Sequence, residues 1–228
     1  VVYSGVRIEH FANPFARFGI GEPYIVLNFW VSVAVTVFWI VGICNAVNLI
    51  DGLDGLAVGV SSIASICMLA MTLITQNLNV AIVTAAVAGA GFGFLPYNFN
   101  PAKIFMGDTG ALFLGFILAC ISVQGFLKLS AVISFAIPIL VLGLPIFDTA
   151  FAIIRRVLTG RSPMSPDRGH LHHRLLDMGF SQRQTVAILY TLTAVLCLTA
   201  VVITIRGYKR GIFLIAAVML IILASLKL

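Results

Sequence analysis

Long apolar runs, broken at a few places by short polar stretches, set the pattern of this chain. Uncharged segments occupy residues 24–44, 56–75, 78–96, 111–127, 185–205 and 211–226, and one with a single acid, Asp148, occupies 129–154. At about 1.5 Å per helical residue, these runs predict seven transmembrane helices. Gln76 and Asn77 form a tight turn between two of them, and Gly89, Gly91 and Gly93 mark a face where another helix packs closely. Residues 1–23 are mixed and polar, with Pro14 and Pro23, and read as a loop with a short hairpin around 6–11. No charged n-region or small-residue cleavage site is present, so no signal peptide is expected, and the Val-Val-Tyr opening reads as an entry in mid-protein.

The predicted fold class is therefore all-α, a polytopic membrane helix bundle, with one integral-membrane domain over 1–228. Composition agrees: the chain is 61% hydrophobic and 10% charged, more apolar surface than a soluble core of 228 residues can hide. Cys44, Cys67, Cys120 and Cys197 lie in or at the ends of apolar runs without a C-x-x-C. They read as small buried hydrophobes, not as a disulfide framework or a zinc site. The net charge of +6 bears on topology and lipid contact, and no nucleic-acid partner is expected.

Seven alternating spans put the polar stretches at 45–55, 97–110 and 155–184 on one side. All six aspartates fall there, and both glutamates fall opposite. Eight of the fourteen Lys and Arg residues share the aspartate side, a bias that places it in the cytoplasm.

The stretch 45–56 reads N-A-V-N-L-I-D-G-L-D-G-L. Asn45, Asn48 and Asp51 are three residues apart and share a face if the helix continues through them. Gly52 and Gly55 let the backbone turn or approach a ligand. Paired carboxylates, Asp51 and Asp54, beside glycines suit a hard cation such as Mg²⁺ and a phosphate held through it. The alternative is a polar helix end between two spans. Asp108, in F-M-G-D-T-G at 105–110, is either a metal ligand at a helix mouth or an N-cap. Asp148, in P-I-F-D-T, is followed by Arg155 and Arg156, so an internal ion pair or a solvated helix end competes with a functional role. The run from Arg168 to Arg174 brings together two arginines and His170, His172 and His173. Arginine suits phosphate oxygens, and histidine donates to phosphate or moves protons near neutral pH. Zinc is disfavoured, since H-x-H-H lacks thiol partners and a nearby fourth ligand. A solvated basic loop that only sets topology is the plainer reading. His10, on the other side, reads as a surface histidine.

With these pieces in their order, the chain resembles the polyprenyl-phosphate N-acetylhexosamine-1-phosphate transferases. The matching motifs are those at 45–56, Y-N-x-x-P-A-K-I-F-M-G-D-T-G at 97–110, P-I-F-D-T at 145–149 and H-x-H-H at 170–173. The loop D-R-G-H-L-H-H-R-L-L is similar to the branch that uses UDP-GlcNAc or a related UDP-HexNAc. The branch that takes UDP-MurNAc-pentapeptide typically carries three consecutive histidines. The resemblance implies transfer of HexNAc-1-phosphate from a UDP-sugar to undecaprenyl phosphate, with release of UMP, at the cytoplasmic face of the cell (inner) membrane. It implies Mg²⁺, with Mn²⁺ as an alternative, held by Asp108 and Asp51, and catalytic roles for Asp51, Asp54, Asp108, His170, His172 and His173. Asn45 and Asn48 would stand beside the nucleotide, Asn98 and Phe105 would line the uracil end, and Arg168 would grip the sugar-phosphate with the histidines. A homodimer is left open. The family's adjacent aspartate pair has no counterpart, since no Asp-Asp occurs here. That implies a chain lacking the family's N-terminal spans. The rivals are a secondary transporter and a non-catalytic membrane scaffold.

Overall fold

In a computed structural model, residues 5–13, 21–22, 24–125, 136–162 and 169–206 are described. They form a bundle of helices with one small hairpin, a polytopic helical membrane protein. The hairpin pairs β1 (His10–Ala12) with β2 (Tyr24–Val26) antiparallel, His10 opposite Val26. It thus falls later than the turn expected around 6–11. The helices are α1 (Phe29–Leu49), α2 (Leu56–Ile74), α3 (Leu78–Asn98), α4 (Gly107–Gly125), α5 (Ala136–Val141), α6 (Gly143–Leu158), α7 (Leu171–Asp177) and α8 (Gln182–Arg206). Five of them, α1 to α4 and α8, are long and apolar enough to cross a membrane.

The first span is displaced from its expected place at 24–44. Its start goes to β2, and Asn28 caps α1 by accepting from the Trp30 N–H at 3.1 Å. At its other end α1 continues through Asn45 and Asn48, because a carboxamide does not break a helix as glycine or proline would. The segment before β1 lies along α1 with its backbone satisfied by hydroxyls. The Ile8 N–H donates to Thr36 Oγ1 at 3.0 Å, and Ser32 Oγ donates to the Ile8 carbonyl at 2.5 Å.

The described part of the expected fifth span, 129–154, is two helices, α5 and α6, with Leu142 between them. Pro145 explains the position of the break: proline is tolerated in a helix's first turn but removes a hydrogen bond deeper inside one. The seventh span, 211–226, lies outside the described residues.

The most enclosed helix is α2, which packs against α3, α4 and α8. Around it Met68, Met71, Leu118, Ile137, Leu142 and Cys197 join one buried cluster. A second cluster, with Ile50, Leu56, Leu144, Val186 and Leu189, forms a floor under residues 50–56. Of the three glycines expected at a close helix contact, only Gly91 makes one, against Ser62; Gly89 and Gly93 face open space. Two further close crossings use other glycines. A Cβ on Gly115 would lie 2.7 Å from Cys44 Cα, and one on Gly59 would fall on the Tyr190 hydroxyl. Gly59→Ala is accordingly expected to cost about 1–3 kcal/mol by overpacking. Thermal unfolding in detergent should show a lowered midpoint, whereas Gly89→Ala, with nothing within 4 Å, should show none.

Candidate active site at the clustered helix ends

The C-terminal ends of α1 and α3 and the N-terminal ends of α2, α4, α7 and α8 meet at one end of the bundle. Hydrogen bonds between the connecting segments fix this. The Gly55 N–H donates to Asn98 Oδ1 at 3.1 Å, and Asn98 Nδ2 donates to the Ile104 carbonyl at 3.0 Å. Asp54 Oδ2 accepts from Asn100 Nδ2 at 3.1 Å and from the Ala102 N–H at 3.0 Å. Arg183 of α8 donates twice to the Asn100 carbonyl, at 3.2 and 3.0 Å, and Tyr190 donates to the Gly55 carbonyl at 2.6 Å. Gly55 itself has φ +80°, a region that glycine enters at no steric cost. The expectation that Asp51 and His172 share one end of the bundle holds: a Cβ built on Gly52 would lie 2.5 Å from His172 Nε2.

A cavity of ≈ 350 Å³ opens among these ends, lined by Asp51, Asp54 and Asp108 together with Asn98, Phe105 and Met106. Asp108 lies in the first turn of α4, where the helix dipole favours an acid, and accepts from Asn48 Nδ2 at 2.9 Å. Asp51 is half-buried. Burial raises its carboxyl above the usual range first, and the charges of Asp108 and Asp54 add to the shift. Among the described residues no ion pair reaches any of these three carboxylates. They are also not gathered tightly enough to make a group of three metal-ligating side chains. Mg²⁺, however, commonly takes one or two carboxylates and leaves its other positions to water and phosphate. Hard oxygen donors with uncompensated charge fit such an ion.

The other expected site residues divide. Asn98 lines the cavity, but both ends of its carboxamide are spent on backbone, which makes it a tie between segments. Asn45 is exposed on α1 and donates back to the Val41 carbonyl at 2.7 Å. Phe105 is 75% exposed at the cavity mouth. It and Met106 also border an apolar cleft of ≈ 240 Å³ between α2, α3 and α4, walled by Val58, Gly91, Phe94 and Phe113. Arg168 lies outside the described residues.

The imidazoles form a row. The rings of His170 and His172 are nearly parallel, with centroids 5.8 Å apart, and His173 follows at 4.3 Å from His172. His170 and His172 are buried, and His173 is partly exposed. Burial pushes His172 down to about 4; the charges of its neighbours His173 and His170 push the same way, against the pull of Asp148. His172 is thus neutral at pH 7. The unfolded ring titrates near 6.5, so the stability that His172 contributes is fully present above that pH and is lost as the pH falls toward 4. Thermal midpoints at pH 7.5 and pH 5 should therefore differ more for the wild type than for His172→Gln.

For Asp148 the sequence left open an internal ion pair with Arg155 or Arg156, a solvated helix end or a functional role. Instead its carboxylate meets His170 Nδ1 at 2.8 Å and the Leu171 N–H at 2.7 Å, while Arg155 donates to the Gly169 carbonyl at 3.0 Å. The sequence signal was an acid inside an apolar run, which calls for a named partner. Asn100, Arg183 and Tyr190 carried no such signal.

Residues 1–126 match the sequence profile of glycosyl transferase family 4. The chain is 42% identical over 217 residues to a probable undecaprenyl-phosphate N-acetylglucosaminyl 1-phosphate transferase of Bacillus subtilis, covering 94% of this chain and 58% of that one. It is 40% identical over 189 residues to the decaprenyl-phosphate N-acetylglucosaminephosphotransferase of Mycolicibacterium smegmatis, covering 75% and 47%. It is 39% identical over 177 residues to the phospho-N-acetylmuramoyl-pentapeptide-transferase of Desulforudis audaxviator, covering 75% and 49%. The chain therefore spans about half the length of the curated relatives it matches. More than half of the chain fits the family profile, and a relative 42% identical covers nearly all of it: this chain belongs to glycosyl transferase family 4.

Proposed function

We propose that this chain forms the nucleotide-facing part of one integral-membrane transferase domain. The reaction is transfer of HexNAc-1-phosphate, GlcNAc-1-phosphate in the first instance, from a UDP-sugar to undecaprenyl phosphate. An oxygen of the lipid phosphate attacks the sugar-bearing phosphorus, the pyrophosphate bond breaks, and UMP leaves. The observation that carries this reading is the acidic cavity and its neighbour. Asp51, Asp54 and Asp108 line a polar space that meets an apolar cleft at Phe105 and Met106. A phosphate with an isoprenoid tail and a soluble nucleotide can meet only where such surfaces join. The names of the relatives point the same way.

Asp108 and Asp51 would hold Mg²⁺ or Mn²⁺, which when bound neutralises charge on the pyrophosphate. Asp54, held by Asn100 and Ala102, and Asn48, held on Asp108, orient the nucleotide. Phe105 offers an exposed ring at the uracil end. His173, partly exposed beside the buried His172, would meet the sugar-phosphate, and Arg168, outside the described residues, is proposed as a further phosphate contact. This end of the bundle faces the cytoplasm at the cell (inner) membrane.

The test is to incubate the complete protein in detergent with UDP-GlcNAc, undecaprenyl phosphate and Mg²⁺. UMP and a lipid-linked GlcNAc pyrophosphate are expected in equal amounts. Proton-coupled flux in proteoliposomes without lipid-linked product would replace the transferase by a transporter.

A further inference from the structure

We infer that Asp148 is the positioning residue of the imidazole row: it fixes the proton of His170 on Nδ1 and caps α7, and so sets where His172 stands beside Gly52. This rests on the transfer reading for its effect on turnover. Its structural basis is independent of that reading.

Asp148 comes from the middle of α6, and its two carboxylate oxygens are divided between two groups at one point of α7. Oδ2 meets His170 Nδ1 at 2.8 Å, and Oδ1 accepts the Leu171 N–H at 2.7 Å. His170 is the N-cap residue of α7, but its side chain caps nothing in its own helix. The cap that most helices draw from the preceding residue is supplied here by another helix. The side chains of His170 and Asp148 are each 6% exposed, so water does not compete for the pair. An ionised carboxylate only accepts, which requires the proton of His170 on Nδ1 and leaves Nε2 as the basic nitrogen. The neighbouring ring of His172 lies parallel to His170 and against Gly52, so a shift of His170 or of the start of α7 is passed to the wall of the acidic cavity. Arg155, two turns further along α6, holds the Gly169 carbonyl and makes a second tether of the same loop to the same helix.

The discriminating variant is Asp148→Asn. Its carbonyl oxygen can still accept from Leu171, which preserves the cap, while its amide becomes a donor facing Nδ1 and drives the proton to Nε2. The measurement is ¹⁵N NMR of the imidazoles in the complete, histidine-labelled protein, with the His170 signals assigned by their loss in His170→Gln. The wild type is expected to show His170 protonated on Nδ1, and Asp148→Asn to show it on Nε2. In the same preparation kcat should fall about 10²-fold, on the scale of one misplaced acid–base group, with most of the loss in kcat and little in KM for the UDP-sugar. Asp148→Glu, which keeps an acceptor-only group, should retain the Nδ1 proton. A wild-type His170 protonated on Nε2 overturns the inference, even if the variants fail to fold. So does Asp148→Asn with the proton moved and full turnover. A complete protein that releases no UMP at all would instead overturn the transfer reading, and the tautomer result would still decide the role of Asp148.

Discussion

Asp108→Asn in the complete protein is expected to reduce Mg²⁺-dependent transfer about 10³-fold while leaving the fold in place. The asparagine keeps an oxygen where Asn48 donates, so the tie between α1 and α4 survives. What is lost is a charge. Removing one anionic ligand forfeits several kcal/mol of charge neutralisation at the reacting pyrophosphate, and each ~1.4 kcal/mol is a factor of ten in rate. The effect should be partly offset by raised Mg²⁺, because the lost ligand weakens binding as well as turnover. Burial is the main cause that holds the Asp51 carboxyl above its usual range; the variant removes one of the two carboxylates that add to it, so Asp51 should ionise at a somewhat lower pH. Rates across a Mg²⁺ titration, read beside the thermal midpoint, check both parts. Near-native turnover with an unchanged midpoint would reduce Asp108 to an acid favoured by the dipole of α4.

The second large effect is expected from the histidines. His172→Ala and His173→Ala should each slow transfer by about 10²-fold, on the scale of a lost acid–base or charge-assisted contact. The structure separates how they fail. His173 is partly exposed, so its loss should act on contacts to substrate and leave stability alone. His172 is 2% exposed and seals the back of Gly52, so His172→Ala should also lower the thermal midpoint. Gly52→Ala offers a third arm, because its Cβ would sit 2.5 Å from His172 Nε2 and must push the ring away. It should slow transfer as His172→Ala does without removing any group that can bind or move a proton. Unchanged kinetics in all three would return the histidine loop to a role in topology.

Part of the histidine arrangement was written in the sequence and part was not. The pattern H-x-H-H marked the three rings as a unit, but not that two of them are buried. The burial of His172 depended on the turn at Gly52 lying against its ring, and that of His170 on Asp148, 22 residues before it, reaching it from α6. Asn98 was similarly legible as a polar residue of the stretch 97–110, which the family resemblance assigned to the uracil end. That its amide is consumed by Gly55 and Ile104 depends on two segments that are far apart in sequence and adjacent only in the fold.

By itself the sequence determined the solvent and the period. Runs of about twenty apolar residues leave a chain no stable choice but membrane-spanning helices, since lipid offers no partner for an unsatisfied backbone. It also determined the chemistry on offer: carboxylates beside glycines, and imidazoles beside arginine, all where apolar runs end. The tertiary structure decided the remainder. It moved the first span to Phe29–Leu49 and split another around Leu142. It chose Gly59, Gly91 and Gly115 over Gly89 and Gly93 as the close contacts, and gave Asp148 to His170 in place of the arginines. The physical reason is that local composition fixes what a segment can be. Which buried polar group finds which partner is settled only when helices distant in sequence pack together, because inside the bundle each such group must be satisfied by whatever the crossing helix brings.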